Sequence, residues 1–197
     1  AALRPLTTVD MGKGKAAETF TFFHVPSAVF LLHARRGTPP PAGAGAACVG
    51  QGPARFGAPL EAPPSARVGL LHLGARGELD GRFPRAGRAA GRDFAAWIKA
   101  GCPADTLVLP DVQVVPGPRG EGVSAAAAAF LLGGARTVVV SLAGGAPEEL
   151  LEQFYAGCLD KGLGPAAALR HAQTWARGRK DLAKDALWAG LVLYGVP

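Results

Sequence analysis

"GEGVSAAAAAFLLGGARTVVVSL", residues 120–142, decides how the rest of the chain is read. Val123, Ala126, Ala127, Phe130 and Leu131 recur at helical spacing, and Gly133-Gly134 ends the pattern. "RTVVVSL" (136–142) then runs β-branched and apolar without alternating, as a strand covered on both faces does. A helix delivering the chain into such a strand is the repeating unit of a parallel sheet flanked by helices.

The same alternation extends outward. Upstream, "DTLVL" (105–109) and "RVGLLHL" (67–73) read as strands, "ACVG" (47–50) as a short one, and "ETFTFFHV" (18–25) as one rich in Phe and Thr. Pro26-Ser27 opens a helix over "AVFLLHARR", and "RDFAAWIKAG" (92–101) places Phe94, Trp97 and Ile98 on one helical face. Downstream, Leu150, Leu151, Phe154, Tyr155 and Cys158 share a helix face. "PAAALRHAQTWARG" is a further helix with Pro165 in its first turn, and "LWAGLVLYG" is a last strand. The expected fold class is α/β, a mostly parallel sheet flanked by helices.

Composition narrows the function. A chain of 197 residues is one domain, or one and a fragment, and a domain this long buries roughly 70% of its unfolded surface, enough for a core without disulfides or metals. Cys48, Cys102 and Cys158 form no CxxC and cannot all pair with one another, which points to a reducing, intracellular and cytoplasmic setting. The opening residues "AALRPLTTVD" carry neither a basic n-region nor an apolar h-region, so no signal peptide is read there. No stretch reaches the ~18–20 apolar residues of a membrane span.

The formal net charge is +6, and Arg76, Arg82, Arg85, Arg88 and Arg92 crowd one Gly-rich loop, 74–92. No aromatic stacking pattern, zinc spacing or helix-turn-helix accompanies them, which argues for a solvated basic loop over a nucleic-acid surface. His24, His33, His72 and His171 are not spaced with acidic residues as metal ligands would be, and "GPRGEG" (117–122) lacks the Lys-Ser/Thr of a phosphate-binding P-loop. Neither a metal nor a cofactor is expected. His72, inside an apolar strand, is expected to be a hydrogen-bonded core or rim histidine, and Cys158 to be packing. Cys48 has no partner that the sequence names.

Taken in order, "GEG…FLLGGART", "ALRHAQ" and "WAGLVLYG", with "HVPSAVFLLHARR" and "VGLLHLGARG" upstream, resemble the CHAT domain over about residues 18–195. That is a caspase- and separase-like cysteine peptidase domain, often fused to tetratricopeptide repeats. The resemblance implies a caspase-like three-layer sandwich spanning 18–197, after an extension or remnant at 1–17. It also implies a Cys-His dyad, in which a thiolate attacks a carbonyl and an imidazole manages the protons. The family's His-x-x-x-His-Gly pattern aligns with His72 and, at the catalytic histidine, Arg76 before Gly77. Its Leu-Ser-Ala-Cys pattern aligns with Leu109, Pro110, Asp111 and, at the nucleophile, Val112. Arginine stays protonated and cannot act as a general base near neutral pH, and valine has no nucleophile.

The resulting expectation is a catalytically inactive domain that serves as a protein-interaction or scaffolding module. Its partner would be another protein or other domains of the same parent chain, tetratricopeptide repeats among them. The loops framing the former cleft carry Arg76, Arg82, Arg85, Arg88 and Arg119, a rim suited to an acidic segment. Two alternatives stay open. One is an active endopeptidase with a displaced dyad of Cys102 and His72, although Cys102 precedes its strand and should lie at the opposite sheet edge. The other is an anion- or nucleic-acid-binding module using loop 74–92.

Overall fold

The computed structural model describes residues 45–74, 77–79, 88–89, 92–114, 122–141, 145–183 and 187–195. In chain order these form β1 (Ala46–Gly50), β2 (Val68–Gly74), β3 (Gly77–Leu79), β4 (Arg88–Ala89), β5 (Arg92–Asp93), α1 (Phe94–Ala100), β6 (Ala104–Leu109) and β7 (Val112–Val114). There follow α2 (Gly122–Leu132), β8 (Thr137–Ser141), α3 (Glu148–Tyr155), a π-helical turn (Ala156–Asp160), α4 (Pro165–Arg177), α5 (Lys180–Ala183) and β9 (Leu191–Gly195). The strand and helix expected at 18–36 lie outside the described residues.

Five strands make the central sheet in the order β1-β2-β6-β8-β9. The first four are mutually parallel, with His72 of β2 opposite both Cys48 of β1 and Val108 of β6. β9 alone runs antiparallel, against β8. Two helical passes, α3 and α4, precede it, so the chain re-enters the sheet from the edge that it left.

Strand alternation divides the core in two. Leu71, Leu73, Leu107, Leu109, Val138 and Val140 point to one face and pack with Trp97 of α1 and Ala127, Phe130 and Leu131 of α2. Leu70, Val108, Val139, Leu191 and Leu193 point to the other and pack with Leu150, Phe154 and Tyr155 of α3 and Leu169 and Ala172 of α4. This is the helix–sheet–helix sandwich expected, and it explains the unbroken apolar runs of β6 and β8: every residue of both strands is buried.

Local sequence fixes the element ends. Glu148 and Glu149 occupy the first turn of α3, where carboxylates complement the helix dipole. Pro165 opens α4, where its missing N–H costs nothing. Three element ends differ from the sequence reading. Arg92 and Asp93 pair with β4 before α1 starts, Leu187–Ala189 form a 3-10 turn ahead of β9, and the helix read as reaching Cys158 turns π-helical at Ala156. The wider turn brings Gly157, in place of Cys158, fully into the interface, where Ala168 of α4 leaves no room for a side chain.

At the amino ends of the strands, Arg67 clamps the sheet to the α2–β8 turn. Its Nε and Nη2 donate to Oδ1 of Asp105 at 3.0 and 2.8 Å, and Nη2 also donates to the carbonyl of Gly134 at 2.9 Å.

Candidate functional site

Open parallel sheets present their chemistry beyond the carboxyl ends of the strands. There the chain leaves β2 at Gly74, and β3 pairs in parallel with β7, which follows β6. The register sets Gly77 opposite Val112, Glu78 opposite Gln113 and Leu79 opposite Val114. Arg76, directly before Gly77, lies outside the described residues, as do Arg82, Arg85 and Arg119. Arg88 is placed on β4, opposite Asp93 of β5.

His72 is the polar centre of this edge and is 1% exposed. Its Nε2 lies 3.0 Å from the carbonyl oxygen of Gln51, which can only accept, so Nε2 carries the proton and donates. Nδ1 is then the acceptor, and the Tyr155 hydroxyl donates to it across 2.6 Å. Burial holds the imidazole's pKa below its ordinary value, against smaller upward pulls from the Gln51 carbonyl and Asp111. Burial likewise holds the Tyr155 phenol well above its ordinary value. Phe56 closes the group, with its ring 4.9 Å from Tyr155 and edge-on to it, and 5.8 Å from the imidazole.

Cys48 completes the cluster. It stands opposite His72 on the neighbouring strand and is 3% exposed. Gly52 passes directly over the pair. A Cβ there would strike Sγ of Cys48 and come within 2.9 Å of Nε2 of His72. The thiol donates weakly to the Gly50 carbonyl at 3.6 Å, and burial raises its pKa. Cysteine and histidine are therefore neighbours without forming a dyad: both imidazole nitrogens are committed elsewhere, and no lone pair is left for the thiol proton.

Cys102 is not brought to His72. It precedes β6 at the amino ends of the strands, and it belongs to the core layer on the face opposite Tyr155. Burial pushes its pKa up to about 11. The displaced pair of Cys102 and His72 is thus split by both the length and the thickness of the sheet, at the opposite edge as the sequence order implied. Cys158, in the π-helical turn, is half-buried against the α3–α4 core, with its pKa pushed by burial to about 12.

Sequence reasoning placed His72 correctly but missed its three partners. Cys48 and His72 were both legible as strand residues, yet only the β1–β2 register makes them neighbours. Tyr155 was legible as a core face residue. Its hydroxyl's target, on a strand far away in the chain, left no trace in local pattern. Among the described residues no group of three or more His, Cys, Asp or Glu is arranged to hold a metal, and no helix is long and apolar enough to cross a membrane.

A mostly parallel sheet between two helical layers, with its polar centre at the carboxyl strand ends, places the protein in the caspase-like α/β class. The CHAT domain family model matches residues 95–196, more than half of the chain, and the protein belongs to that family, a peptidase-related one. The match includes Val112 and starts after His72. No curated protein matches the chain.

Proposed function

We propose that this CHAT domain is a pseudopeptidase that acts as a protein-interaction or scaffolding module, one part of a larger protein or assembly. The domain would run over 18–197 and work in the cytoplasm, a setting that suits three free thiols. The observation that carries the reading is the parallel pairing of Gly77 with Val112. It sets Gly77, the residue after Arg76, opposite Val112, the position that the family's pattern gives to the nucleophile, and this supports the alignment of both dyad positions. With arginine at one and valine at the other, neither a proton acceptor nor a nucleophile is supplied there. The neighbouring Cys48 and His72 do not replace them, because the imidazole is fully engaged and the thiol is buried and neutral.

The interaction surface of this reading is the arginine rim: Arg76, Arg82, Arg85, Arg88 and Arg119. A guanidinium pairs two carboxylate oxygens at once, so an acidic segment of a partner or of the parent chain is the chemical match. One experiment addresses both halves. The protein is treated with an electrophilic caspase- or separase-type probe, and bound partners are recovered with wild type and with the triple variant Arg82→Ser, Arg85→Ser, Arg88→Ser. No covalent labelling is expected, and the variant should recover less partner, most clearly at low salt. Stoichiometric labelling abolished by Cys102→Ala or Cys48→Ala would establish a peptidase instead.

A further inference from the structure

The loop from Gly50 to Phe56 is fastened to the rest of the molecule at an inner and an outer polar contact. Gln51 gives its carbonyl to Nε2–H of His72, and Gly52 lies on the imidazole edge and on the Cys48 sulfur. Phe56 packs on the ring of Tyr155, whose hydroxyl donates to the same imidazole. Arg55 adds an outer tie to the π-helical turn, with Nη2 donating to Oδ2 of Asp160 at 2.8 Å and to Oδ1 at 3.1 Å. In the closed loop His72 is neutral, with Nε2–H donating to Gln51 and Nδ1 accepting from Tyr155.

We propose that His72 is an acid-sensitive latch: neutral between Tyr155 and Gln51, it holds the Gly50–Phe56 loop shut over Cys48, and taking up a proton in mild acid releases that loop.

The stereochemistry carries the argument. The proton can only go to Nδ1, the nitrogen that Tyr155 now serves. Once Nδ1–H points at the phenol, the Tyr155 O–H must turn away, and among the described residues His72 is its sole hydrogen-bond partner. Protonation thus buries a charge and, as Nδ1–H now donates to the phenol oxygen, leaves the buried hydroxyl proton without an acceptor. Opening the loop relieves both by admitting water to the imidazole.

The groups facing His72 do not cancel this. Cys48 on β1 is a neutral thiol, and Tyr155 on α3 is a neutral phenol. Asp111, beyond β6, is exposed and favours the charged imidazole, but less than burial opposes it. Glu152 and Cys158 lie behind Tyr155 and act on that phenol.

The sign follows. In the open loop His72 titrates near its ordinary value of about 6.5, and in the closed loop it titrates lower. Closure is therefore fully favoured above about pH 6.5. It weakens as pH falls from there, by up to about tenfold in the opening equilibrium per pH unit, until the lower closed-state value is reached.

Cys48 reports the opening, because only loop movement exposes its sulfur. The full chain is labelled with a pyridyl disulfide that reacts in acid as well as at neutrality. Labelled peptides are assigned by mass, and each rate is divided by that of an unstructured thiol at the same pH. Between about pH 7.5 and 5.5, the protection of Cys48 should fall, by at most about tenfold, while that of Cys102 and Cys158 holds. In His72→Leu, the protection of Cys48 should not vary with pH. Three results overturn the proposal: protection of Cys48 that stays level in the native chain, all three thiols losing protection together, or the same pH response in His72→Leu. Should His72→Leu fail to fold, the Cε1 proton resonance of His72 in the native chain decides. A midpoint below 6.5 sustains the latch, and a titration at the ordinary value overturns it.

Discussion

Tyr155→Phe removes one oxygen atom and little else, so it measures what the buried hydrogen bond contributes. Tyr155 is fully buried in the core between α3 and the sheet, and its hydroxyl lies 2.6 Å from Nδ1 of His72. Without it, Nδ1 becomes a buried acceptor with no donor, because the imidazole cannot turn while Nε2–H remains bound to Gln51. Leaving one such group unsatisfied costs about 1–3 kcal/mol, and dispensing with a buried hydroxyl returns part of it. A net loss of about 2 kcal/mol corresponds to a drop in Tm of roughly 4–8 °C for a domain of this size. The assay is a thermal unfolding cycle at about pH 7.5 with wild type, Tyr155→Phe, His72→Leu and the double variant. The loss of the hydroxyl should be felt in the native background and nearly vanish in the His72→Leu background, where no acceptor remains. An equal cost in both backgrounds would refute the reasoning, since the penalty would then belong to packing and not to the His72–Tyr155 bond.

Two further outcomes follow from other contacts. Gly52→Ala should destabilise by about 1–3 kcal/mol, because the new methyl strikes the Cys48 sulfur and the His72 ring, and adding Cys48→Ala should restore part of the loss; thermal melts of the single and double variants check this. Arg67→Met should cost about 1–3 kcal/mol through the lost charged hydrogen bonds to Asp105, whereas Arg67→Lys should recover only part, as a single ammonium cannot reach Asp105 and the Gly134 carbonyl with the same fork; urea unfolding compares the three.

How much of this could be read from the chain depends on what enforces each feature. β6 and β8 are buried on both faces, so composition alone betrays them, and α4 announces itself by Pro165 and its apolar stripe. The parallel arrangement was also accessible, because helices separating apolar strands leave few alternatives to it. The direction of β9 was not, since it depends on the number of helical passes before it and not on any residue within it. The π-helical turn at Ala156–Asp160 escaped for a related reason: one extra residue per turn changes which side chain faces the core, yet Leu150 to Tyr155 fit an ordinary helix up to that point.

The candidate site shows where local pattern stops informing. His72 belongs to an apolar run and would be an expensive residue to bury alone, so a partner could be inferred for it but not identified. Its partners come from three places: the β1–β2 register supplies Cys48, the loop after β1 supplies Gln51, and α3, two further strands of the central sheet later in the chain, supplies Tyr155. Each lies at a sequence distance that periodicity cannot bridge. The consequence is chemical. A histidine and a cysteine opposite each other on adjacent strands would read as a dyad in any list of residues, and the geometry makes them the reverse. The imidazole donates to a carbonyl, accepts from a phenol, and sits under a glycine that shields both it and the thiol from water. A residue that tunes the closure of a loop and one that activates a nucleophile can be the same amino acid on the same strand. What separates them is whether a lone pair is free, and here Tyr155 occupies it.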